Sequence, residues 1–219
     1  MIERPTFRSP APGIHSGNPE SIGILQPRWQ QSLPVLRGAS VTLRELEVSD
    51  ASALVTMVTS DEVSRFISPP PPTVDGFERF IGWTRRERAL ARGTGFAVVP
   101  NGRDHAVGLF QIRRLEDSFE TAEWGFAIGS GFWHSGLFMD SAQLVLEFAF
   151  EVLGVHRLEA RAAVSNGRAS GALRKVGAVR EGVLHNGLLK DGKYLDQALW
   201  TIHDDGWRMS RTAPIVRVH

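Results

Sequence analysis

The chain is 219 residues long and 42% hydrophobic, enough to bury one good core in a single main domain. Its 25 basic and 24 acidic residues leave a formal charge of +1, which gives no global pull toward nucleic acid or a membrane surface. Cysteine is absent, excluding a disulfide framework, a thiolate metal site and a cysteine nucleophile, and the seven histidines show neither HxH nor HxxxH spacing, so no metal is expected.

Residues 1–35 hold half of the 12 prolines and little periodicity, which predicts an extended arm. Ile24, Leu25 and Trp29 are the side chains able to pin it to the body. A buried Trp29 would make the arm a lid or strap; an exposed one would point to a partner or a swapped arm. From Val41, residues 42–46 read as a first strand, and Ser49 or Asp50 then caps a helix carrying Leu54, Val55 and Val58. The run Ser68-Pro69-Pro70-Pro71-Pro72-Thr73 predicts a stiff, extended loop, since proline fixes φ and disfavours helix in the residue before it. Helix resumes near Val74, with Phe77, Phe80, Ile81 and Thr84 on its apolar side. Arg85-Arg86-Glu87-Arg88, continued by Arg92, reads as an exposed helix face, because no interleaved aromatics suited to base stacking accompany it. Strands over 96–99 and 106–112 flank Asn101-Gly102-Arg103-Asp104, a hairpin turn signal. Glu116, Asp117 and Glu120 then lie close together in one loop.

Residues 122–175 form the most informative stretch. Ala122, Trp124, Phe126 and Ile128 alternate with Glu123, Gly125 and Ala127, which predicts a strand with one bulky face and one nearly bare face carrying a carboxylate. The chain turns through Gly129-Ser130-Gly131-Phe132-Trp133-His134-Ser135-Gly136. A helix follows at once, with Phe138, Ala142, Val145, Leu146, Ala149, Phe150 and Leu153 on one stripe of 3.6-residue period and Gly154 as its stop. A glycine-rich turn entering a helix N-terminus presents unpaired backbone N–H groups and partial positive charge, a setting that can hold phosphate or can simply relieve steric strain. Residues 157–162 alternate as a strand, Asn166 caps a helix running from Arg168 to Val176, and Gly177 closes it. Residues 179–184 and 195–202 read as strands around Asp191-Gly192, a second hairpin turn. From Met209 no pattern is visible and a frayed tail over 209–219 is expected. No apolar run approaches 18 residues and no signal sequence is apparent, so a cytoplasmic protein without a membrane partner is expected.

Three segments resemble the GNAT superfamily of acetyl-CoA-dependent N-acetyltransferases, and within it the RimJ/RimL-type ribosomal-protein N-terminal acetyltransferases. They are Glu123-Trp124-Gly125-Phe126, Phe132 to Phe138, and Asn166-Gly167-Arg168-Ala169 with Leu173-Arg174-Lys175-Val176-Gly177-Ala178. The likeness spans residues 36–208, and it implies an α/β fold: a mixed sheet of about seven strands, splayed at its centre and flanked by helices on both faces. It also implies acetyl-CoA as co-substrate, its pantetheine along Phe126, Ala127 and Ile128 and its pyrophosphate on the backbone of Trp133, His134, Ser135, Gly136, Leu137 and Phe138, with Asn166 contacting it from the next helix. The family loop usually carries a basic or amide residue where Trp133 stands, and glycine or alanine where Phe138 stands. Glu123 occupies the place of a general base acting through water. Many relatives have a serine where this chain has Ala169, which leaves the neighbouring Ser170 or Tyr194, the only tyrosine, as candidate proton donor. The implied acceptor is a primary amine, at a protein or peptide N-terminus or on a small molecule such as an amino sugar or polyamine; a CoA-binding module without turnover is the alternative. Loops such as the proline run would wall the acceptor site, and a monomer or homodimer is expected.

Overall fold

The computed structural model describes residues 28–212. Its elements in chain order are helix α1 (Arg28–Gln31), strands β1 (Leu36–Arg37) and β2 (Val41–Glu45), helices α2 (Ala51–Val58), α3 (Asp61–Ser64) and α4 (Val74–Ala89), strands β3 (Gly93–Pro100), β4 (Gly108–Arg114) and β5 (Thr121–Ile128), helix α5 (Leu137–Glu147), strand β6 (Arg157–Ala163), helix α6 (Gly167–Lys175), strands β7 (Val179–Lys190) and β8 (Lys193–His203), and helix α7 (Asp204–Thr212). The strands form an eight-stranded sheet in the order β1-β2-β3-β4-β5-β6-β8-β7, one more than the sequence suggests because the two-residue β1 adds an edge.

Strands β1 to β5 run as an antiparallel meander, and β6, β8 and β7 form a second antiparallel block. The two blocks meet only where β5 and β6 pair in parallel, over Thr121↔Arg157, Ala122↔Leu158 and Glu123↔Glu159. Beyond that point β5 stays with β4 to Ile128 and β6 stays with β8 to Ala163, so the sheet parts along its middle. The expected splay is there, and Glu123 marks its apex.

Alternation along the strands divides the buried side chains between two cores, as the two-residue side-chain period requires. Phe96, Val98, Phe110 and Trp124 pack with Ala142, Val145 and Leu146 of α5, whereas Ala97, Val99, Leu109 and Ala127 pack with Leu54, Phe77 and Ile81 of α2 and α4. Helices therefore cover both faces. The two-residue Asp191-Gly192 turn joins β7 and β8 with both residues at positive φ, the type I′ geometry that matches strand twist.

Several local expectations change. The helix expected to run evenly to Leu153 widens after Glu147 into a π-helical turn over Phe148–Val152, with Leu153 N–H bonded to the Phe148 carbonyl. Phe148, Ala149 and Phe150 are all buried in this wider turn. The tail expected to fray from Met209 continues as α7 to Thr212, held by Trp207 against Phe150 and by Arg208–Glu151 and Arg211–Glu147 ion pairs; residues 213–219 lie outside the described residues. Arg88 is not on an exposed face: it is buried between Glu45 and the Gln30 carbonyl, and Arg85 donates to the Leu46 carbonyl. Asp50 stands at the start of α2, but its buried carboxylate turns back to Arg44 at 2.7 and 2.8 Å and to the Glu47 and Ala106 N–H groups instead of capping the helix. Trp29 is buried edge-on to Phe119, so the end of the arm packs against the body, as a lid or a strap would; Ile24 and Leu25 lie outside the described residues.

Candidate active site

The parting of β5 and β6 opens a cleft of about 1870 Å³. Its floor is the bare face of β5, where a Cβ added at Gly125 would meet nothing within 4 Å. On the β6-facing edge, backbone groups from Gly125 to Ile128 have no strand partner, apart from the Ile128 carbonyl, which accepts from the Trp133 indole N–H at 2.9 Å. Phe126, Ala127 and Ile128 all line the cleft, as the sequence suggests.

Glu123 sits at the apex, almost fully buried. Antiparallel register sets Arg113 of β4 directly opposite, and its guanidinium donates to Glu123 Oε2 at 2.6 Å. Arg161 Nη1 approaches the same oxygen at 3.9 Å. Both contacts fall on Oε2; Oε1 takes no ion pair or side-chain hydrogen bond among the described residues, and Glu123 lines the cleft. The ionic chain continues through Arg161 to Glu159, from Glu159 to Arg157, and from Arg157 to Glu181. Hydrogen bonds from Arg157 and then from Thr201 hold the Glu181 carboxyl down at about 2.

The loop before α5 has the backbone of an anion cradle. His134 and Gly136 both adopt left-handed φ, at 65° and 84°. Phe132 and Trp133 N–H close short turns onto Gly129 and Ser130, and Leu137 N–H reaches the Ser135 hydroxyl. No intramolecular bond takes up the N–H groups of His134, Ser135, Gly136, Phe138 and Met139 among the described residues. The acidic residue in the first turn of α5, Asp140, points away, into the turn before β2. Burial pushes its carboxyl up, but hydrogen bonds from Ser40 N–H and hydroxyl and from Ala39 N–H outweigh that and hold it below the usual range.

Not every expected side chain reaches the cleft. Trp133, His134, Gly136, Phe138 and Asn166 line it; Leu137 is buried in the core, and the Ser135 hydroxyl donates to the Phe132 carbonyl. Asn166 caps α6 by accepting the Ala169 N–H at 3.0 Å, which leaves its amide nitrogen unspent. Ala169 lines the cleft and Ser170 does not, because one residue along α6 turns the side chain about 100°. Tyr194 lines the cleft with an exposed ring. Of the run from Ser68 to Thr73 only Ser68 lines the cleft, continuing a wall built by Val63, Phe66 and Ile67.

Other lining residues were not singled out from the sequence. Arg113 and Arg161 carry chemistry only through cross-strand register, and Trp83 and Gln111 show no local signal. Acidic side chains enter from α3 (Glu62) and from the loop after β4 (Glu116 and Asp117), while Glu87 is engaged by Arg92 at 2.7 and 3.0 Å. No group of three histidine, aspartate or glutamate side chains able to hold a metal occurs among the described residues, and no helix there is long and apolar enough to cross a membrane.

A long cleft with unpartnered N–H groups along one edge, an anion cradle at its mouth and a carboxylate at its apex suits an extended amide chain ending in phosphate. Comparison with known proteins gives the same direction. The family described as "Acetyltransferase (GNAT) domain" matches residues 40–179. The Uncharacterized N-acetyltransferase YoaA of Bacillus subtilis (strain 168) is 24% identical over 172 residues, covering 77% of this chain and 96% of its own. YdaF of the same strain, named provisionally as a ribosomal N-acetyltransferase, is 24% identical over 76% of this chain and 93% of its own. Among solved structures, Mycobacterium smegmatis RimJ in complex with CoA-disulfide superposes with a TM-score of 0.69 at 22% identity, covering 78% of this chain and 87% of that one.

Proposed function

The chain belongs to the GNAT acetyltransferases, and from that premise we propose that it transfers an acetyl group directly from acetyl-CoA to the α-amine of a protein or peptide N-terminus. The observation that carries this reading is the end of β5–β6 pairing at Glu123, which puts a carboxylate at the apex of a cleft edged by unpartnered backbone N–H groups. When bound, acetyl-CoA supplies the activated acetyl thioester. Glu123 Oε1 takes the proton of the attacking amine through a water, while Arg113 on Oε2 fixes the carboxylate's orientation. Backbone N–H groups between Phe126 and Ile128 hydrogen-bond to the acyl oxygen and stabilise the charge that develops there. Tyr194 Oη gives a proton to the leaving thiolate, the role for which Ser170 lies on the wrong side of α6. No covalent intermediate on the protein is needed.

Magnitudes favour an α-amine. At pH 7 deprotonating one with a pKa of 7.7 to 8.0 costs about 1 kcal/mol, whereas a lysine near 10.4 costs about 4.6 kcal/mol, and a single carboxylate working through water matches the smaller demand. The provisional ribosomal name of YdaF supports a protein acceptor. A second reading, a polyamine acceptor, draws on Glu62, Glu116 and Asp117 along the cleft. The test is acetyl-CoA-dependent thiol release with a panel of peptide N-termini, amino sugars and polyamines. Because the chain has no cysteine, a thiol reagent reads only the product. Turnover fastest with a peptide is expected; faster turnover with a polyamine or amino sugar overturns the α-amine assignment.

A further inference from the structure

The loop over residues 129–136 contains neither lysine nor arginine, so its cradle of N–H groups has only His134 as a titratable side chain. A fixed cation approaches it from the opposite wall. Trp133 is anchored by its indole N–H to the Ile128 carbonyl, and the guanidinium carbon of Arg168 lies 3.4 Å from the centre of the Trp133 ring. Trp133 belongs to the β5 side of the cleft and Arg168 to the first turn of α6 on the β6 side, and both line the cleft. The stack therefore spans the opening between the two halves of the sheet.

Arg168 is electrostatically misplaced unless an anion joins it. It sits in the first turn of α6, where the helix dipole is positive and no acidic residue is present. Its guanidinium meets an aromatic face rather than a carboxylate. An aromatic face holds an arginine in place without neutralising it or occupying its N–H fork, which stays available for bidentate contact with a phosphate.

We propose that Arg168, seated on Trp133, is the residue that binds the phosphates of acetyl-CoA across the cleft, supplying the charge that the loop lacks. This rests on the acetyl-CoA site argued above. The adenine-side phosphates meet the loop's N–H groups from one side and the guanidinium from the other, and Trp133 serves as a positioning residue that acts through Arg168.

The experiment is calorimetric titration with CoA of the wild type and of Arg168→Ala, Arg168→Lys and Trp133→Leu, each at about 50 and 300 mM salt. Arg168→Ala should raise Kd about 10-fold to 100-fold, in line with loss of a charged hydrogen-bonding pair, and should flatten the salt dependence. Arg168→Lys should restore the salt dependence but only part of the affinity, and Trp133→Leu should weaken CoA while adding little in combination with Arg168→Ala. Unchanged Kd in Arg168→Ala, or an unchanged salt slope, overturns the proposal while leaving the cofactor site intact. A wild type that binds no CoA overturns the site itself.

Discussion

Replacing Glu123 by glutamine keeps the shape and an oxygen facing Arg113 but removes the proton acceptor. For a peptide α-amine, loss of the proton costs about 2.5 kcal/mol at pH 6 and close to nothing at pH 9, and general-base assistance is worth roughly 10²- to 10⁴-fold. The need for a base is therefore concentrated at low pH. In a thiol-release assay over pH 6 to 9, kcat/KM of Glu123→Gln should fall about 100-fold at pH 6 and only a few-fold at pH 9. The Arg113–Glu123 contact at 2.6 Å offers a competing explanation, in which glutamine leaves the partly exposed Arg113 without its counter-charge and distorts the cleft. That cause would lower the rate by the same factor at every pH and lower the melting temperature with it. A deficit constant across the pH range refutes the base assignment.

Other perturbations address the scaffold. Asp50→Asn leaves Arg44 facing a neutral partner in a fully buried site and should cost about 3–5 kcal/mol in urea unfolding, because the bidentate pair is broken from one side. Glu181 has a folded-state carboxyl held at about 2 against an ordinary 4.5, so its contribution to stability is present above about pH 4.5 and fades as the pH falls toward 2. Over a third of its side chain is exposed, so screening limits the effect, and Glu181→Gln should lose about 1 kcal/mol at pH 6 and nothing near pH 2. Gly136→Ala meets no atom within 4 Å but forces a Cβ onto a φ of 84°; it should destabilise by about 1–2 kcal/mol and weaken CoA binding, both readable from melting curves with and without ligand.

What was legible in the sequence follows from how local each signal is. The two faces of β5 come directly from alternation of Ala122 to Ile128, and the Asn166 cap and the Asp191-Gly192 turn from residue chemistry at fixed offsets. Where β5 and β6 stop pairing is not local, since it depends on how each strand is claimed by its other neighbour. The same holds for Arg113 against Glu123, and for Arg168 on Trp133, which lie on different elements. The π-helical turn was hidden because Ala149, Phe150 and Leu153 continue a 3.6-residue stripe in the sequence, and the wider turn shows only in the backbone bond from Leu153 to Phe148. Helix α7, by contrast, carried a readable signal in Asp204 and Arg208, an i,i+4 pair that the structure joins at 2.6 Å.

The central claim is that the parted sheet holds acetyl-CoA against the open edge of β5. Hydrogen exchange of the protein with and without saturating acetyl-CoA tests it most directly, because both segments contain N–H groups without a partner of their own, those of His134, Ser135, Gly136, Phe138 and Met139 among them. Slowed exchange concentrated in residues 124–128 and 134–139 is the predicted result. Protection elsewhere, with those two segments unchanged, would contradict it.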